Sequence, residues 1–440
     1  MVYFSIMSTL SILDLFDHII SACRPAFAQP RTHKLWAALL IGWLLTVTHR
    51  TLTGMLVFTE TTEPHAHDAY HRLLRVGAWS LSEVFHVLAQ FMVALLPPEA
   101  MIPLAADDTL AHHVGPKVAG AGWYRDPVAS TGTKTVSAPG LSLVILTLLI
   151  VPPWGGPPLA LPLLMRVHVK SGTHTYVDLL EAMLREVCDW FPARRFTLVA
   201  DGAYVSIANR VTELPVIVIS RMRQDAHLFD LPTPNPPHKR GPKPQKGPPL
   251  PKPREMAADP ATPWKYVQVR RKGKLVLRRV YTRQVIWHAV CPHRPLLLVI
   301  VRDPKGHEED DFFLTTEVAS PAQTVVNAYG DRWSIEVTIR DSKQVLGLEE
   351  PQCWREEGPA RAAGLGLWLL SLVWIVYLTS APETPVATTP WYPQKRVPSF
   401  ADALATVRTE LWLRKIGTSE FAAGPAAIIK QCIHFLARAA

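Results

Sequence analysis

The nine residues MIPLAADDT, at positions 101–109, form an apolar run that ends in two adjacent acids. Two more apolar runs follow, at residues 141–151 and 159–169, and each is bounded by glycine, proline or a charged residue. Short apolar runs with such boundaries are typical of buried β-strands. Three successive strands are therefore predicted, and a β-sheet begins at the first of them.

The hydrophobic pattern on either side of these strands is typical of an α/β protein. Residues 1–95 show helical apolar spacing without strand-like alternation, which predicts an N-terminal helical region. After the three strands, residues 175–190 have helical spacing, and the runs FTLVA (196–200) and PVIVIS (215–220) have the composition of buried strands. The alternation of strand, helix and strand predicts an α/β fold with a mixed sheet.

The composition then changes sharply. Residues 232–263 hold 12 of the 40 prolines, which predicts an extended insertion without ladders or helices. Residues 264–288 alternate around the turn RKGK, as a basic β-hairpin would. The patterns beyond it predict strands at 295–301 and 312–315, helices at 322–346 and 360–379, and a helical tail to residue 440.

These patterns divide the chain into five predicted regions. They are an N-terminal helical domain (1–95), the first part of a core (96–228), a proline-rich and basic β insertion (229–292), the second part of the core (293–382) and a C-terminal helical region (383–440). The apolar helix near residues 362–382 is long enough to span a bilayer. We expect it to be a buried core helix, because it lacks a strong basic flank, and no membrane partner is expected.

Composition narrows the class of protein. With 440 residues, 48% of them hydrophobic and 19% charged, the chain can bury a large core, which excludes wholesale disorder. The five cysteines lie far apart without a CxxC pair, so neither a disulfide framework nor a four-ligand zinc site is indicated. The start of the chain lacks the features of a signal peptide. A cytoplasmic location is expected.

Positive charge is concentrated in one block. Residues 238–284 contain 14 lysines and arginines against two acids, a net charge of +12, whereas the rest of the chain sums to −3. A local basic block is typical of a polyanion partner, because each phosphate contact releases condensed counterions. Nucleic acid is the leading partner on this basis, and a solvated flexible loop is the alternative.

The stretch YGDRWSIEVTIRDSKQVLGLE, at residues 329–349, is the strongest candidate for a site. If it forms one continuous helix, a turn of about 100° per residue brings several polar side chains to one face. These are Tyr329, Arg332, Glu336, Arg340 and Lys343. Helical spacing of this kind is also common in solvated surface helices, so the interpretation depends on further acids elsewhere.

Such acids follow two of the predicted strands. Asp107 and Asp108 end the first strand, and Asp201 follows the strand at 196–200. Side chains at strand ends assemble sites in open α/β sheets, and carboxylate oxygens are ligands that Mg²⁺ or Mn²⁺ prefers. Alternation sends Asp107 and Asp108 to opposite faces of the strand. Only one of them is therefore expected to join Asp201 and Glu336.

These residues resemble a known family, the DDE transposases of bacterial insertion sequences. Four residues match its Tyr-x2-Arg-x3-Glu-x6-Lys (YREK) signature at every position: Tyr329, Arg332, Glu336 and Lys343. The phrase DDT at 107–109 resembles the family's first acidic motif, in which the aspartate directly before the threonine is the ligand. VADGAYVS at 199–206 resembles the second motif. The resemblance covers roughly residues 95–380.

The resemblance implies an RNase H-like core interrupted by a β-rich insertion before the last glutamate. It implies Mg²⁺- or Mn²⁺-dependent cleavage of transposon ends and joining of the freed 3′-hydroxyl to target DNA, with two metal ions. The metal ligands and catalytic acids it carries over are Asp108, Asp201 and Glu336. The phosphate-binding residues, with Arg340 added from the shared helix face, are Tyr329, Arg332, Lys343 and Arg340. Double-stranded DNA is the expected partner, bound by a homodimer in the synaptic complex.

Two other functions fit the same patterns. The chain could be a DNA-binding remnant of a transposase that lacks catalysis, or another RNase H-like nuclease. The intact set of acids and the complete YREK signature favour an active transposase over both. Strand-transfer products formed with Mg²⁺ would separate the three hypotheses.

Overall fold

A computed structural model describes most of the chain. The described residues are 10–59, 66–115, 117–126, 128–232, 244–271, 273–380, 386, 388, 390–416 and 433. Predictions for part of the proline-rich run and for most of the end of the C-terminal region therefore lie outside the described residues.

The N-terminal region is helical, as predicted. Its helices are α1 (Ile12–Ala22), α2 (Pro30–Leu45), α3 (Leu52–Leu56), α4 (His67–Val76) and α5 (Leu81–Ala94). Helix α2 begins at a proline, which is tolerated there because the first N–H groups of a helix have no partner within the helix. Helix α5 begins after Ser80, whose side-chain oxygen accepts the backbone N–H of Glu83.

The described strands form one mixed sheet. They are β1 (Ile102–His112), β2 (Gly122–Arg125), β3 (Ser137–Ile150), β4 (Leu159–His168), β5 (Phe196–Ala200), β6 (Val216–Arg221), β7 (Lys265–Arg271), β8 (Lys274–Val285), β9 (Leu296–Arg302) and β10 (Asp311–Thr315). All the predicted strands are present. The short strand β2, which pairs with the start of β3, was not predicted.

The order of the strands identifies the core. β4, β3, β1, β5 and β6 lie side by side; β3 is antiparallel to β4 and β1, whereas β1, β5 and β6 are parallel. This is the order expected of an RNase H-like core, so the predicted fold class is confirmed. The sheet continues through β10, β9, β8 and β7, so the basic hairpin β7–β8 is an extension of the same sheet.

The remaining helices correct two predictions. They are α6 (Tyr176–Trp190), α7 (Ile207–Arg210), α8 (Pro253–Ala258), α9 (Ala322–Asp331), α10 (Ser334–Gln344), α11 (Gly358–Ser380) and α12 (Phe400–Ile416). The prediction that residues 232–263 contain no helix is wrong, because Pro253 occupies the first turn of α8, where proline is tolerated. The predicted single helix at 322–346 is two helices, α9 and α10.

One large apolar core joins the N-terminal helices, α6, both faces of β3 and β4, and α11. Within the described residues, α11 is the one helix long and apolar enough to cross a membrane, and 89% of its most apolar window is buried inside the protein. It packs against β4 and against α1, α4, α5 and α12. Burial by other elements explains its composition, as expected for a core helix.

Helix α10, which carries Glu336, is held to β4 by a buried hydrogen bond. The Thr338 hydroxyl donates to the carbonyl oxygen of Ala160 at 2.6 Å. Thr338→Val keeps the shape but leaves this carbonyl unpaired, so we expect the free energy of unfolding to fall by about 1–3 kcal/mol in urea denaturation. Val337→Thr on the exposed side of α10 is the control and should change it by less than about 0.5 kcal/mol. Equal stability of the two variants would contradict this docking contact.

Candidate active site

Strand β1 presents its two acids to opposite sides of the sheet. Ala105 packs with Ile335 of α10 in a small buried cluster. Asp107, two residues further along β1, shares that face. Asp108 points the other way, where the hydroxyl of Tyr204 donates to its Oδ1 at 2.9 Å. The predicted alternation is therefore observed, and Asp107 is the member of the pair that faces α10.

Asp201 lies beside these acids because β1 and β5 are parallel neighbours. Ala106 is paired with Ala200, so the next residue on each strand carries a carboxylate at the same level of the sheet. The hydroxyl of Tyr329, in α9, donates to Asp201 Oδ1 at 3.1 Å. This bond connects the second acidic motif to the helices that carry the YREK residues.

The helical segment that was predicted as continuous changes direction within the YREK signature. At the junction of α9 and α10, the backbone N–H of Trp333 bonds Gly330 O and that of Glu336 bonds Trp333 O. These i to i+3 bonds are tighter than α-helical ones, so the offsets of a single straight helix do not hold across the junction. Tyr329 therefore lies over β5 while Glu336 lies over β1.

Arg332 occupies the centre of the site. Its Nη1 donates to Asp107 Oδ2 at 2.6 Å and its Nη2 donates to Glu336 Oε1 at 3.1 Å. The guanidinium also lies 5.6 Å from the centre of the Tyr329 ring. The side chain is only 11% exposed, and its Nε atom is buried without a hydrogen-bond partner among the described residues. Arg332 thus connects Asp107 to Glu336.

Burial and mutual repulsion shift the pKa values of the acidic side chains at this site. Burial raises the pKa of Asp107, and the Arg332 guanidinium opposes the rise. Burial also raises the pKa of Asp108, with a further rise from Asp201. The pKa of Glu336 is raised by burial, lowered by Arg332 and raised again by Asp107 and Asp201. Asp107, Asp201 and Glu336, connected through Arg332 and Tyr329, form the acid cluster of the site, whereas Asp108 lies on the opposite face of β1.

The tyrosine of the signature stays protonated. Burial and Asp201 raise the pKa of Tyr329 to about 12, against the opposing effect of Arg332. A hydroxyl that keeps its proton at neutral pH acts as a hydrogen-bond donor to an oxygen ligand. Tyr329 is therefore suited to hold a carboxylate or a phosphate oxygen, but not to remove a proton near pH 7.

The donor set of the cluster fits a hard divalent cation. Carboxylate oxygens from three separate elements are the ligands that Mg²⁺ and Mn²⁺ prefer. Within the described part of the chain, however, no three His, Cys, Asp or Glu side chains are already arranged to hold a metal ion. The reason is visible at Arg332, whose guanidinium connects Asp107 and Glu336. Metal binding therefore requires these side chains to rearrange.

The other two cations of the signature face do not reach the acid cluster. Lys343 Nζ donates to Leu110 O and lies 3.2 Å from Glu349 Oε1. Arg340 is largely exposed, and its Nη2 donates to Asp341 Oδ1 at 2.9 Å. The structure therefore brings Tyr329, Arg332 and Glu336 together, and it places Lys343 and Arg340 farther along α10.

Four arginines of the basic block are paired with acids outside it. Arginines of the hairpin form ion pairs with acids of other segments: Arg270 with Asp331, Arg271 with Glu308, Arg278 with Asp303, and Arg283 with Asp230. The pair of Arg270 with Asp331 connects the hairpin to the end of α9. The block therefore also fixes the hairpin beside the acid cluster, in addition to any contact with a polyanion.

Two residues of the site were not predicted. Tyr204, which bonds Asp108, belongs to the VADGAYVS phrase, three residues after Asp201. Glu349, the partner of Lys343, is the last residue of the stretch 329–349. The 3₁₀ turn Gly202–Tyr204 brings Tyr204 back under β1, and no periodic signal in the sequence reports such a turn.

Comparison with known proteins agrees with this geometry. A family model described as "DDE superfamily endonuclease" matches residues 24–289, which is more than half of the chain. The match includes the strands that carry Asp107, Asp108 and Asp201, and it ends before the helices that carry Glu336. No curated protein matches the chain.

Proposed function

The chain belongs to the DDE superfamily endonucleases, and from that premise we propose that it is the transposase of a bacterial insertion sequence. It cleaves DNA at the ends of the element and joins the freed 3′-hydroxyl to target DNA. The observation that carries this proposal is the acid cluster of Asp107, Asp201 and Glu336, which Arg332 and Tyr329 of the complete YREK signature connect. A nuclease without transposition needs the acids but gives no reason for the full signature.

The acids divide between the two sides of β1. Asp201 and Glu336 are proposed ligands of two Mg²⁺ or Mn²⁺ ions. The sequence resemblance assigns the third position to Asp108, whereas the contacts of Arg332 favour Asp107. Bound divalent ions would supply charge stabilisation for in-line displacement at phosphorus. We propose that the scissile phosphate lies beside Asp201 and Tyr329, which are bonded to each other, and beside Arg332.

The cations of the signature are proposed to hold the DNA backbone. Arg332 has a planar fork that matches a phosphate, and binding of Asp107 and Glu336 to a divalent ion would leave its guanidinium free for that contact. Lys343 and Arg340 lie farther along α10 and are proposed to contact phosphates beyond the scissile one. Tyr329 keeps its proton and donates a hydrogen bond.

A direct assay tests the proposal. The protein is incubated with Mg²⁺ and a duplex that carries the DNA flanking its gene, together with a supercoiled target plasmid. We expect nicked ends and joined products. Specific binding without products would support the DNA-binding remnant instead. Nicking without joining would support another RNase H-like nuclease. Dimeric synapsis and a cytoplasmic location remain part of the proposal, and the mass of the DNA complex measures the first.

The raised pKa values predict how Mg²⁺ changes stability. Folding disfavours the charged forms of Asp107, Asp108 and Glu336, so without metal the free energy of unfolding should fall as the pH rises above about 4. Mg²⁺ relieves this repulsion and should stabilise the fold by about 2.7 kcal/mol at roughly 100 times its Kd. The gain should shrink in acid, because protons compete with the metal.

Thermal unfolding with and without Mg²⁺ between pH 5 and 8 measures this effect. Glu317→Gln is the control, since its side chain accepts only a loop N–H and should leave the gain unchanged. Glu336→Gln should lose most of it. An identical Mg²⁺ effect in these two variants would show that the ion binds elsewhere.

A further inference from the structure

Lys343, the lysine of the YREK signature, already has hydrogen-bond and ion-pair partners in the free protein. Lys343 Nζ has two partners, the carbonyl oxygen of Leu110 at the end of β1 and the carboxylate of Glu349 at 3.2 Å. Its side chain is 20% exposed and that of Glu349 is 27% exposed, so both border the surface on which DNA would lie. A phosphate that binds Lys343 must therefore approach a carboxylate of its own charge.

Glu349 is itself anchored. Its Oε1 accepts the backbone N–H of His112 at 2.9 Å and lies 3.3 Å from His112 Nδ1. The other ring nitrogen of His112 lies 2.9 Å from Asp126 Oδ2. Asp126 Oδ1 in turn accepts the backbone N–H groups of Val128 and Ala129. The carboxylate of Glu349 is thus fixed to the end of β1 and to the loop after β2, not left free on the surface.

The backbone after α10 explains how Glu349 reaches this place. The N–H of Leu348 bonds Ser342 O at 2.9 Å, and Gly347 has φ +61°, which reverses the chain at the end of the helix. Glycine is favoured at position 347 because residues other than glycine rarely adopt this left-handed conformation. The turn directs Glu349 back toward Lys343.

We propose that Glu349 is a positioning residue that holds Lys343 against β1 and neutralises it until a DNA phosphate takes its place. The inference rests on the proposed function, because it requires DNA to lie along α10. Glu349 thereby lowers the affinity of the free protein for any duplex and reserves Lys343 for DNA that is seated well enough to displace the carboxylate.

Glu349→Gln is the sharp test. The amide oxygen still accepts the N–H of His112, whereas the negative charge is lost. We expect the variant to bind a fluorescent mixed-sequence duplex about two- to five-fold more tightly, the value of one exposed ion pair. The plot of log affinity against log salt should become steeper by about 0.9, because one further phosphate is contacted. A purely structural role would not change that slope.

Two variants complete the experiment. Glu357→Gln, on an exposed part of the same loop, removes the same charge away from Lys343 and should leave the slope unchanged. In a Lys343→Ala background, Glu349→Gln should have no effect on affinity. The inference is overturned if Glu349→Gln behaves like Glu357→Gln, or if its gain persists without Lys343.

Cleavage assays on the same samples separate this inference from the proposed function. Products from the wild type together with an unchanged salt slope in Glu349→Gln would refute the inference alone. A steeper slope in Glu349→Gln without products from the wild type would refute the transposase and keep the inference. A wild-type protein that binds no duplex would refute both.

Discussion

Glu336→Gln should abolish DNA end cleavage while DNA binding remains. The change removes one carboxylate from the cluster but adds no bulk, and it leaves the positive charge of Arg332 and Lys343 in place. We expect the cleavage rate to fall by about 10²–10³-fold or more, the loss typical of removing a group that stabilises transition-state charge. Cleavage of a labelled end duplex and its retardation in a gel measure the two properties on the same samples.

The control for this prediction is Glu317→Gln, which removes a carboxylate from a loop outside the cluster. It should cleave at the rate of the wild type. Cleavage by Glu336→Gln at a comparable rate would show that Glu336 is not a catalytic residue, and it would contradict the proposed reaction. A combined loss of cleavage and binding would instead indicate that Glu336 supports the fold, which thermal unfolding of the variant would show.

Changing each of the two neighbouring aspartates of β1 to asparagine should reduce DNA cleavage to very different extents. Asp107 faces α10 and is 2.6 Å from Arg332, whereas Asp108 faces Tyr204 on the other side of the sheet. Asp107→Asn should therefore reduce cleavage by about 10²–10³-fold. Asp108→Asn keeps an oxygen that accepts the Tyr204 hydroxyl, so we expect a decrease below about ten-fold.

Single-turnover cleavage of the two variants decides between the assignments. Tyr204→Phe is the complementary control, because it removes the hydrogen bond to Asp108 but keeps the charge that Asp108→Asn removes. If Asp108→Asn is the inactive variant and Asp107→Asn cleaves normally, the assignment by resemblance is correct. In that case the side chains of β1 must rotate when DNA and metal bind.

The central part of the sheet was predictable because strands such as β3 and β5 are buried on both faces. Continuous apolar runs such as those of β3 and β5 are typical of such strands, and turn residues limit them on both sides. Asp201 directly follows β5, as predicted, but β1 continues past Asp107 and Asp108 to His112, so the prediction that these two acids end their strand is wrong. Their proximity to Asp201 follows from the parallel pairing of β1 with β5.

The parts that could not be predicted depend on contacts distant in sequence. The break between α9 and α10 has no proline, and periodicity over 322–346 continues through it. Arg332 was expected to face DNA, but its partner Asp107 is 225 residues away. The net charge counted over residues 238–284 likewise leaves out Asp303 and Asp331. These acids lie in other segments but form ion pairs with arginines of the block.

The shared core has a consequence for how the chain can be divided. Helix α11 is covered by α1, α4 and α5, which all precede the first catalytic strand. A fragment that starts at β1 would expose the long apolar helix α11 to water. We expect such a fragment to be poorly soluble. The N-terminal helices therefore cover α11 in this chain, and the half that carries the acids should not fold as a separate module without them.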